Sequence, residues 1–231
     1  MKVDIGIIGA LEEEVSGLIN SLSEHTSERV SGIDFHTGLL CGKRVAVARC
    51  GVGKVFAAIC TEAMIIRYSP SLIINSGVGG AIADGLKSTD IVIADRLVQH
   101  DMDTSPIGDP KGLISGINKI YFDSDPRAVA IAKDAADGFG YHAIVGTVAT
   151  GDRFIADKAD KIRIASDFSA SACEMEGGAV AHTAYVNDTS FVVIRAISDS
   201  ADGAATMDYL EFLPIAARRS SDITLALIKA Y

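Results

Sequence analysis

The stretch VDIGIIGALEEEV, residues 3–15, contains the unit from which the fold is built. Residues 3–8 form an apolar, β-branched run that predicts a buried strand, and a helix is predicted over 11–22. The other predicted strands are 43–50, 71–75, 90–94, 144–149 and 191–197, and the other helices are 53–67, 127–138, 158–167, 176–186 and 209–229. This alternation favours β-α units. We therefore predict a single α/β domain over residues 1–231, with a mixed, mostly parallel central β-sheet flanked by α-helices.

The length and composition of the chain indicate how many domains it forms and which kinds of partner it can bind. With 231 residues, 48% of them apolar, the chain is long enough for one large core, as single α/β domains commonly reach about 200 to 250 residues. The formal charge of -9, from 21 basic and 30 acidic residues, provides no basic surface for a phosphate backbone. We therefore expect no nucleic-acid partner.

The cysteines and the N-terminal sequence predict a soluble cytoplasmic protein. Cys41, Cys50, Cys60 and Cys173 lie far apart and form no CxxC pair, so we predict buried thiols rather than disulfides. The first apolar run contains Asp4 and reaches three glutamates too soon for a signal peptide. No stretch approaches the roughly 18 apolar residues that cross a bilayer, so we expect no membrane contact.

Glycines and acids follow four of the predicted strands. These segments are Gly9 to Glu14, Ser76 to Gly80, Thr150 to Phe154, and the pair Ser198 and Asp199. In open α/β sheets, ligands bind beyond the carboxyl ends of the strands, so the four segments are predicted to line a single cleft. For any one segment, the alternative is that the glycines serve only the turn of the backbone.

Three glutamates begin the first predicted helix. Carboxylates are favoured there by the positive end of the helix dipole, with or without a further role. At about 100° per residue, Glu13 points away from the apolar face of the helix, whereas Glu12 and Glu14 flank that face about equally. The residues alone therefore leave two candidates for an acid that faces the cleft.

Charged residues near two other strand ends are further candidates. Arg195 lies in the apolar run FVVIRAISD, where an arginine is seldom buried without a carboxylate or an anionic ligand. Asp199 ends that run. A carboxyl enclosed in a pocket can have a raised pKa and donate a proton; the alternative is that Asp199 caps the next helix. In an extended chain, Glu174 and Glu176 lie on the same face; at a helix start, one of them would cap the helix. Carboxylates of this kind are suitable acceptors for the hydroxyls of a sugar.

Cofactor and metal chemistry are disfavoured by the sequence. Residues 51–53 (GVG) begin a dinucleotide fingerprint, but Phe56 occupies the position of its last glycine and no acid follows at the expected distance. Residues 100–103 (HDMD) have metal-binding side chains without a second His pair at ligand spacing. Serine-hydrolase and nucleotide-triphosphatase motifs are not found in the sequence. We therefore expect no cofactor and no metal ion.

Several motifs together resemble one enzyme family. The segments IGIIGALEEEV, GVGK, INSGVGGAI, GDRFI, EMEGGAVAH and VIRAISDSAD with YLEFL are similar to those of the 5′-methylthioadenosine/S-adenosylhomocysteine nucleosidases of the nucleoside phosphorylase superfamily. They occur in order from residue 3 to about residue 225. The segments DIV and LVQHDMD also resemble this family, including members that act on aminodeoxyfutalosine. The resemblance implies a nucleoside phosphorylase-like fold and an adenine nucleoside as the small-molecule partner.

The resemblance implies roles for five catalytic residues. Glu14 matches the acid that activates the hydrolytic water. Asp199 matches the general acid that protonates the free imidazole-ring nitrogen of adenine, with Ser198 as an orienting hydroxyl. Glu176 matches the group that holds the ribose hydroxyls, and Arg195 matches a buried arginine near the water.

The resemblance also implies substrate-binding positions. Phe154 and Ile155 match the positions that contact adenine, the Met175 backbone matches a group that holds the ribose hydroxyls, and Leu11, Val52 and Tyr209 match apolar wall positions. Glu174 is a further candidate for substrate binding, from its carboxylate alone. Ile107, in a loop near 100–112, is expected to close on the 5′ group in the neighbouring subunit of a homodimer. Val78 replaces the serine of many members, so a hydroxyl that helps to hold the water or the ribose is missing.

The expected reaction is irreversible hydrolysis of the glycosidic bond of 5′-methylthioadenosine or S-adenosylhomocysteine, with 5′-deoxyadenosine and aminodeoxyfutalosine as further candidate substrates. It releases adenine and the 5′-substituted ribose. One alternative is a purine nucleoside phosphorylase, which needs arginines or open amides around phosphate. Another is a non-catalytic nucleoside-binding protein, which has no need of both Glu14 and Asp199. The hydrolase hypothesis requires these two acids to face one cavity.

Overall fold

One ten-stranded sheet organises the domain in the computed structural model, which describes residues 2–199 and 205–231. The strands are β1 (Ile5–Gly9), β2 (Ser23–Val30), β3 (Ile33–Leu40), β4 (Lys43–Arg49), β5 (Leu72–Ala81), β6 (Ile91–Gln99), β7 (Tyr121–Asp123), β8 (Ala143–Thr150), β9 (Ala170–Glu174) and β10 (Ser190–Asp199). The helices are α1 (Glu12–Asn20), α2 (Lys54–Tyr68), α3 (Pro126–Gly138), α4 (Lys158–Phe168), α5 (Gly177–Val186) and α6 (Ala205–Ala230), with a short 3-10 turn at Ser105–Ile107.

Five strands of the sheet close into a ring. β5 pairs with β10, β10 with β6, β6 with β8, β8 with β9, and β9 returns to the far end of β5. From β5 the sheet continues outward through β1, β4, β3 and β2. Parallel pairs join β4, β1, β5 and β10, so the carboxyl ends of these strands meet at one edge.

Helices cover both faces of the sheet, and the two-residue period of the strands assigns side chains to each face. Ile8 packs with α2 and α5 in one core, whereas Ile5 and Ile7 pack with α1, α3 and α6 in the other. A third, smaller cluster lies beneath α4 and includes Ile164 and Phe168. The predicted α/β architecture, with a mixed sheet and flanking helices, is confirmed.

Every predicted helix and strand is present, but four strands were not predicted. The sequence of β2, SEHTSERV, is polar and largely exposed because it lies at the edge of the sheet, so it shows no apolar pattern. β3, β7 and β9 were also missed, and two of them are very short. Since β2, β3, β7 and β9 make antiparallel pairs, the sheet has a larger antiparallel share than expected.

Two further expectations can be compared with the structure. Cys50, Cys60 and Cys173 are buried free thiols as predicted, but Cys41 is exposed because it lies in the turn between β3 and β4. Within residues 2–199 and 205–231, no helix has the length and apolar character needed to cross a membrane.

Candidate active site

A cavity of about 560 Å³ opens at the carboxyl ends of β1, β5, β8, β9 and β10. The predicted site residues that line it are Leu11, Glu14, Val52, Val78, Phe154, Ile155, Glu174, Met175, Glu176, Ser198, Asp199 and Tyr209. The prediction that separate strand-end segments share a single cleft is therefore confirmed.

Two predicted site residues lie outside this cavity wall. Arg195 is buried behind Glu174, and Ile107 is 82% exposed in the 3-10 turn after β6. Five further residues line the cavity without having been assigned a role from the sequence: Ala10, Gly79, Gly80, Arg153 and Cys173. Four of them lie in the strand-end segments that were predicted to line the cleft, and Cys173 adjoins Glu174, so proximity in sequence was the available signal.

Glu14 faces the cavity from the first turn of α1, whereas Glu12 is exposed and pairs with Arg49. One carboxylate oxygen of Glu14 accepts hydrogen bonds from the Ala10 and Leu11 amides, at 2.6 and 3.0 Å, and the other accepts from Val78, at 3.0 Å. The helical wheel could not distinguish Glu12 from Glu14, and the structure selects Glu14. Burial raises the pKa of the Glu14 carboxyl, while Arg195 and the three amides oppose the rise.

Glycines in β5 make room for the acids. The segment after residue 75 was predicted as a loop, but it continues as strand through Ala81. A Cβ at Gly77 would lie 2.6 Å from Oε1 of Glu14, and a Cβ at Gly80 would lie 2.9 Å from Oδ2 of Asp199. The two glycines therefore allow carboxylates from α1 and β10 to approach the same strand.

Asp199 reaches the cavity from the end of β10 and is 2% exposed. The Ser198 hydroxyl donates to its Oδ1 at 3.0 Å, as expected for an orienting group. The ammonium of Lys161 lies 3.3 Å from its Oδ2. Asp199 and Glu14 thus line the same cavity from different sides of β5, which is the arrangement that the hydrolase hypothesis requires.

A buried ion pair supports the floor of the site. Arg195 pairs with Glu174, and its guanidinium also bonds to the backbone and side-chain oxygens of Asn75. Glu174 further accepts from Thr150 and from the amides of Glu176 and Gly177, so it also caps α5. Burial favours a higher pKa for Glu174, but Arg195 and these hydrogen bonds hold its pKa below the ordinary value.

Glu176 lies at the start of α5 and accepts the Gly53 amide at 2.8 Å from across the cleft. Burial, followed by the negative charge of Glu174, raises the pKa of Glu176 to about 7. The wall beyond it is apolar: Leu11, Val52 and Met175 line it, and Phe154 meets Tyr209 edge-to-face with 5.6 Å between ring centroids. The site therefore offers acids at one side and an apolar, aromatic surface at the other.

The raised pKa of Glu176 predicts a pH-dependent stability. Because the folded pKa of about 7 exceeds the ordinary value of 4.5, the folded protein binds this proton more tightly than the unfolded chain. The stabilisation of the folded state by this proton is present at low pH and is lost as the pH rises through 7. Relative to Glu176→Gln, the wild-type free energy of unfolding should fall by about 2–3 kcal/mol between about pH 5 and about pH 8. Urea unfolding at both pH values measures this, and parallel curves for the two proteins would contradict it.

Acids gathered at the carboxyl edge of a ring of strands, opposite an aromatic wall, define an α/β enzyme that acts on a small molecule. The chain belongs to the phosphorylase superfamily, whose sequence profile matches residues 4–229.

Relatives within this superfamily narrow the comparison. A 5′-methylthioadenosine/S-adenosylhomocysteine nucleosidase of Haemophilus influenzae (strain PittGG) is 41% identical over 226 residues, which are 97% of this chain and 98% of that protein. The crystal structure of the nucleosidase of the same name from Neisseria meningitidis, in complex with methylthio-immucillin-A, has a TM-score of 0.95 at 33% identity and 99% coverage of both chains. Futalosine hydrolase of Helicobacter pylori strain 26695 has a TM-score of 0.93 at 32% identity, covering 99% of this chain and 98% of that one. The family resemblance seen in the sequence is confirmed.

Proposed function

We propose that the chain is an N-ribosyl hydrolase that cleaves the glycosidic bond of 5′-methylthioadenosine and S-adenosylhomocysteine. The observation that carries this proposal is the placement of Glu14 and Asp199 in one cavity, in a chain 41% identical to a nucleosidase of that name. The products are adenine and the 5′-substituted ribose.

Asp199 and Glu14 have opposite proton roles in this mechanism. The Asp199 carboxyl protonates the free imidazole nitrogen of adenine, so that the glycosidic electron pair leaves with a neutral purine. Such general acid catalysis contributes about 10²- to 10⁴-fold. Glu14 accepts a proton from the water that attacks the sugar carbon. Glu176, held by the Gly53 amide, receives the ribose hydroxyls, and its charge with that of Glu14 favours the cationic sugar.

Water fits this site better than phosphate does. Phosphorylases need cations or open amides at the nucleophile, yet here the Ala10, Leu11 and Val78 amides already bond to Glu14. A phosphate about 4 Å from that carboxylate would cost on the order of 4 kcal/mol per charge pair at an effective dielectric of about 20. Incubation with and without phosphate tests this point. Free ribose product in both cases supports hydrolysis, whereas a phosphate-dependent sugar phosphate would establish a phosphorylase.

A substrate panel tests the reaction and the 5′ preference together. Methylthio, homocysteinyl, deoxy and futalosine-type nucleosides share the ribose, and the structural similarity to a futalosine hydrolase justifies the last of them. Catalytic release of free adenine, many times the enzyme concentration, is expected for the methylthio and homocysteinyl compounds. Binding without turnover would instead establish a nucleoside-binding protein.

We further propose that the enzyme is a homodimer in which Ile107 of the loop near 100–112 closes the neighbouring site. Ile107 is 82% exposed, and α2 presents the exposed apolar side chains Val55, Phe56 and Ile66. Ile107→Ala should raise KM for methylthioadenosine several-fold, with kcat less affected. The increase is smaller than the roughly 1.5–3 kcal/mol of a fully buried aliphatic side chain would give, because alanine keeps part of the contact. Sedimentation gives the oligomeric state. A monomeric wild type, or an unchanged KM in the variant, would refute this arrangement.

The cytoplasmic location of the protein, which is expected from its sequence, stays a prediction.

A further inference from the structure

A lysine occupies a core-facing position of α4. Lys161, Ile164 and Phe168 are spaced by three and four residues, which places them on one side of the helix. Ile164 and Phe168 belong to the apolar cluster beneath α4, and the Lys161 side chain is only 3% exposed. Since lysine is almost never buried without a partner, this position calls for an explanation.

Lys161 pairs with the proposed general acid, Asp199. Its Nζ lies 3.3 Å from Oδ2 of Asp199, while the Ser198 hydroxyl donates to Oδ1 at 3.0 Å. The two oxygens of the carboxyl are therefore held by different groups, which fixes its plane. Lys161 is not part of the cavity wall, so it contacts the Asp199 carboxyl from outside the cavity.

The neighbouring titratable groups do not duplicate the positive charge of Lys161. Among the described residues, Cys173 of β9 and Tyr209 of α6 also interact electrostatically with Asp199. Burial raises the pKa of Cys173 to about 12 and also raises that of Tyr209, so both are neutral at pH 7. The cation that contacts Asp199 in this part of the structure is thus the Lys161 ammonium.

We propose that Lys161 is a positioning residue for catalysis, which orients the Asp199 carboxyl and stabilises the carboxylate formed when its proton moves to the purine. This inference rests on the proposed function. In the step concerned, the O–H bond of Asp199 breaks, an N–H bond forms on the purine, and the glycosidic electron pair moves onto the purine. The negative charge left on Asp199 then lies beside the ammonium, while Glu14 takes the proton from water.

Stability alone does not account for a lysine at this position. A buried ion pair gains little net free energy because both ions lose their hydration, and an apolar residue of similar volume often replaces it without loss. Methionine has the length and flexibility to fill the space of the lysine side chain. The fold should therefore tolerate Lys161→Met, whereas the proton-transfer step should not.

Steady-state kinetics of Lys161→Met across the pH range test the proposal. We expect kcat for adenine release to fall about 10- to 100-fold, with KM within about twofold because Lys161 does not line the cavity. The alkaline limb of the kcat/KM profile should move up by about 1 to 3 pH units, since the acid loses a neighbouring positive charge. Lys161→Arg, which keeps the charge, should retain the wild-type alkaline limb.

Lys158→Met is the matched control, because Lys158 lies on the same helix and is exposed. It should leave kcat and the pH profile unchanged. If Lys161→Met does not fold, Lys161→Gln gives the same measurements with a polar neutral side chain. A folded Lys161→Met or Lys161→Gln with the wild-type pH profile and rate would overturn the role of Lys161. A wild type that releases no adenine would instead overturn the proposed function, and this role with it.

Discussion

Asp199→Asn is expected to lower kcat for adenine release by about 10²- to 10⁴-fold, equivalent to about 3–5 kcal/mol of transition-state stabilisation. The asparagine amide has no proton of suitable acidity to transfer to the purine. It keeps the shape of the side chain and an oxygen that can accept from Ser198, so the nucleoside affinity should change little. Its NH₂ group then faces the buried Lys161 ammonium, so the variant should lose folding stability and its activity must be measured well below the unfolding transition. Adenine release and calorimetric binding of methylthioadenosine measure the two effects separately.

Asp84→Asn is the matched control, since Asp84 is an exposed acid that does not line the cavity. It should behave as the wild type in both measurements. Turnover near the wild-type rate in Asp199→Asn would show that another group protonates the leaving purine. Loss of nucleoside binding together with turnover would instead assign Asp199 to ground-state binding.

The local patterns of the sequence were sufficient for the strands with clear apolar runs and for the helices, but the buried strands β3 and β9 were missed. The run at 3–8 and the helix after it lie within one or two residues of β1 and α1, because an apolar run followed by a polar helix start is a strong local signal. β2 gave no such signal, since an edge strand exposed on most of its surface contains the polar side chains typical of a loop. Its pairing with β3 is decided by the sheet and not by its own composition.

The site was predictable where residues share a motif and unpredictable where distant segments meet. Glycines are depleted in strands, so residues 76–80 were interpreted as a loop. They are strand because they pair with β10 and β9, and glycines stand at 77 and 80 because Glu14 and Asp199 occupy the space that a Cβ would fill. The contact between Lys161 and Asp199 joins residues 38 positions apart, and only the spacing of Lys161 with Ile164 and Phe168 could have revealed that this lysine is buried.

Glu14→Gln is expected to reduce kcat by about 10²- to 10⁴-fold, because a neutral amide cannot accept the proton of the attacking water. The glutamine amide would also face a donor: with its oxygen toward the Ala10 and Leu11 amides, its NH₂ group points at the Val78 N–H. The resulting unsatisfied donor should cost about 1–3 kcal/mol of folding stability, so activity must be measured well below the unfolding transition.

Glu13→Gln is a stringent control for this variant, because it makes the same chemical change one residue away at an exposed position. The pH dependence then separates a base from a merely structural acid. Burial raises the pKa of the Glu14 carboxyl above its ordinary value of 4.5. The pH–rate profile of the wild type should therefore have an acidic limb above pH 4.5, on which the rate increases as this carboxyl ionises. The limb should persist in Glu13→Gln and disappear from the residual activity of Glu14→Gln. Glu176, whose pKa is raised to about 7, can contribute a limb of its own, so Glu176→Gln is measured beside Glu14→Gln. A limb that is unchanged in Glu14→Gln and lost in Glu176→Gln would show that Glu14 is not the group that activates water, and that its loss of rate reflects only the disturbed amides around it.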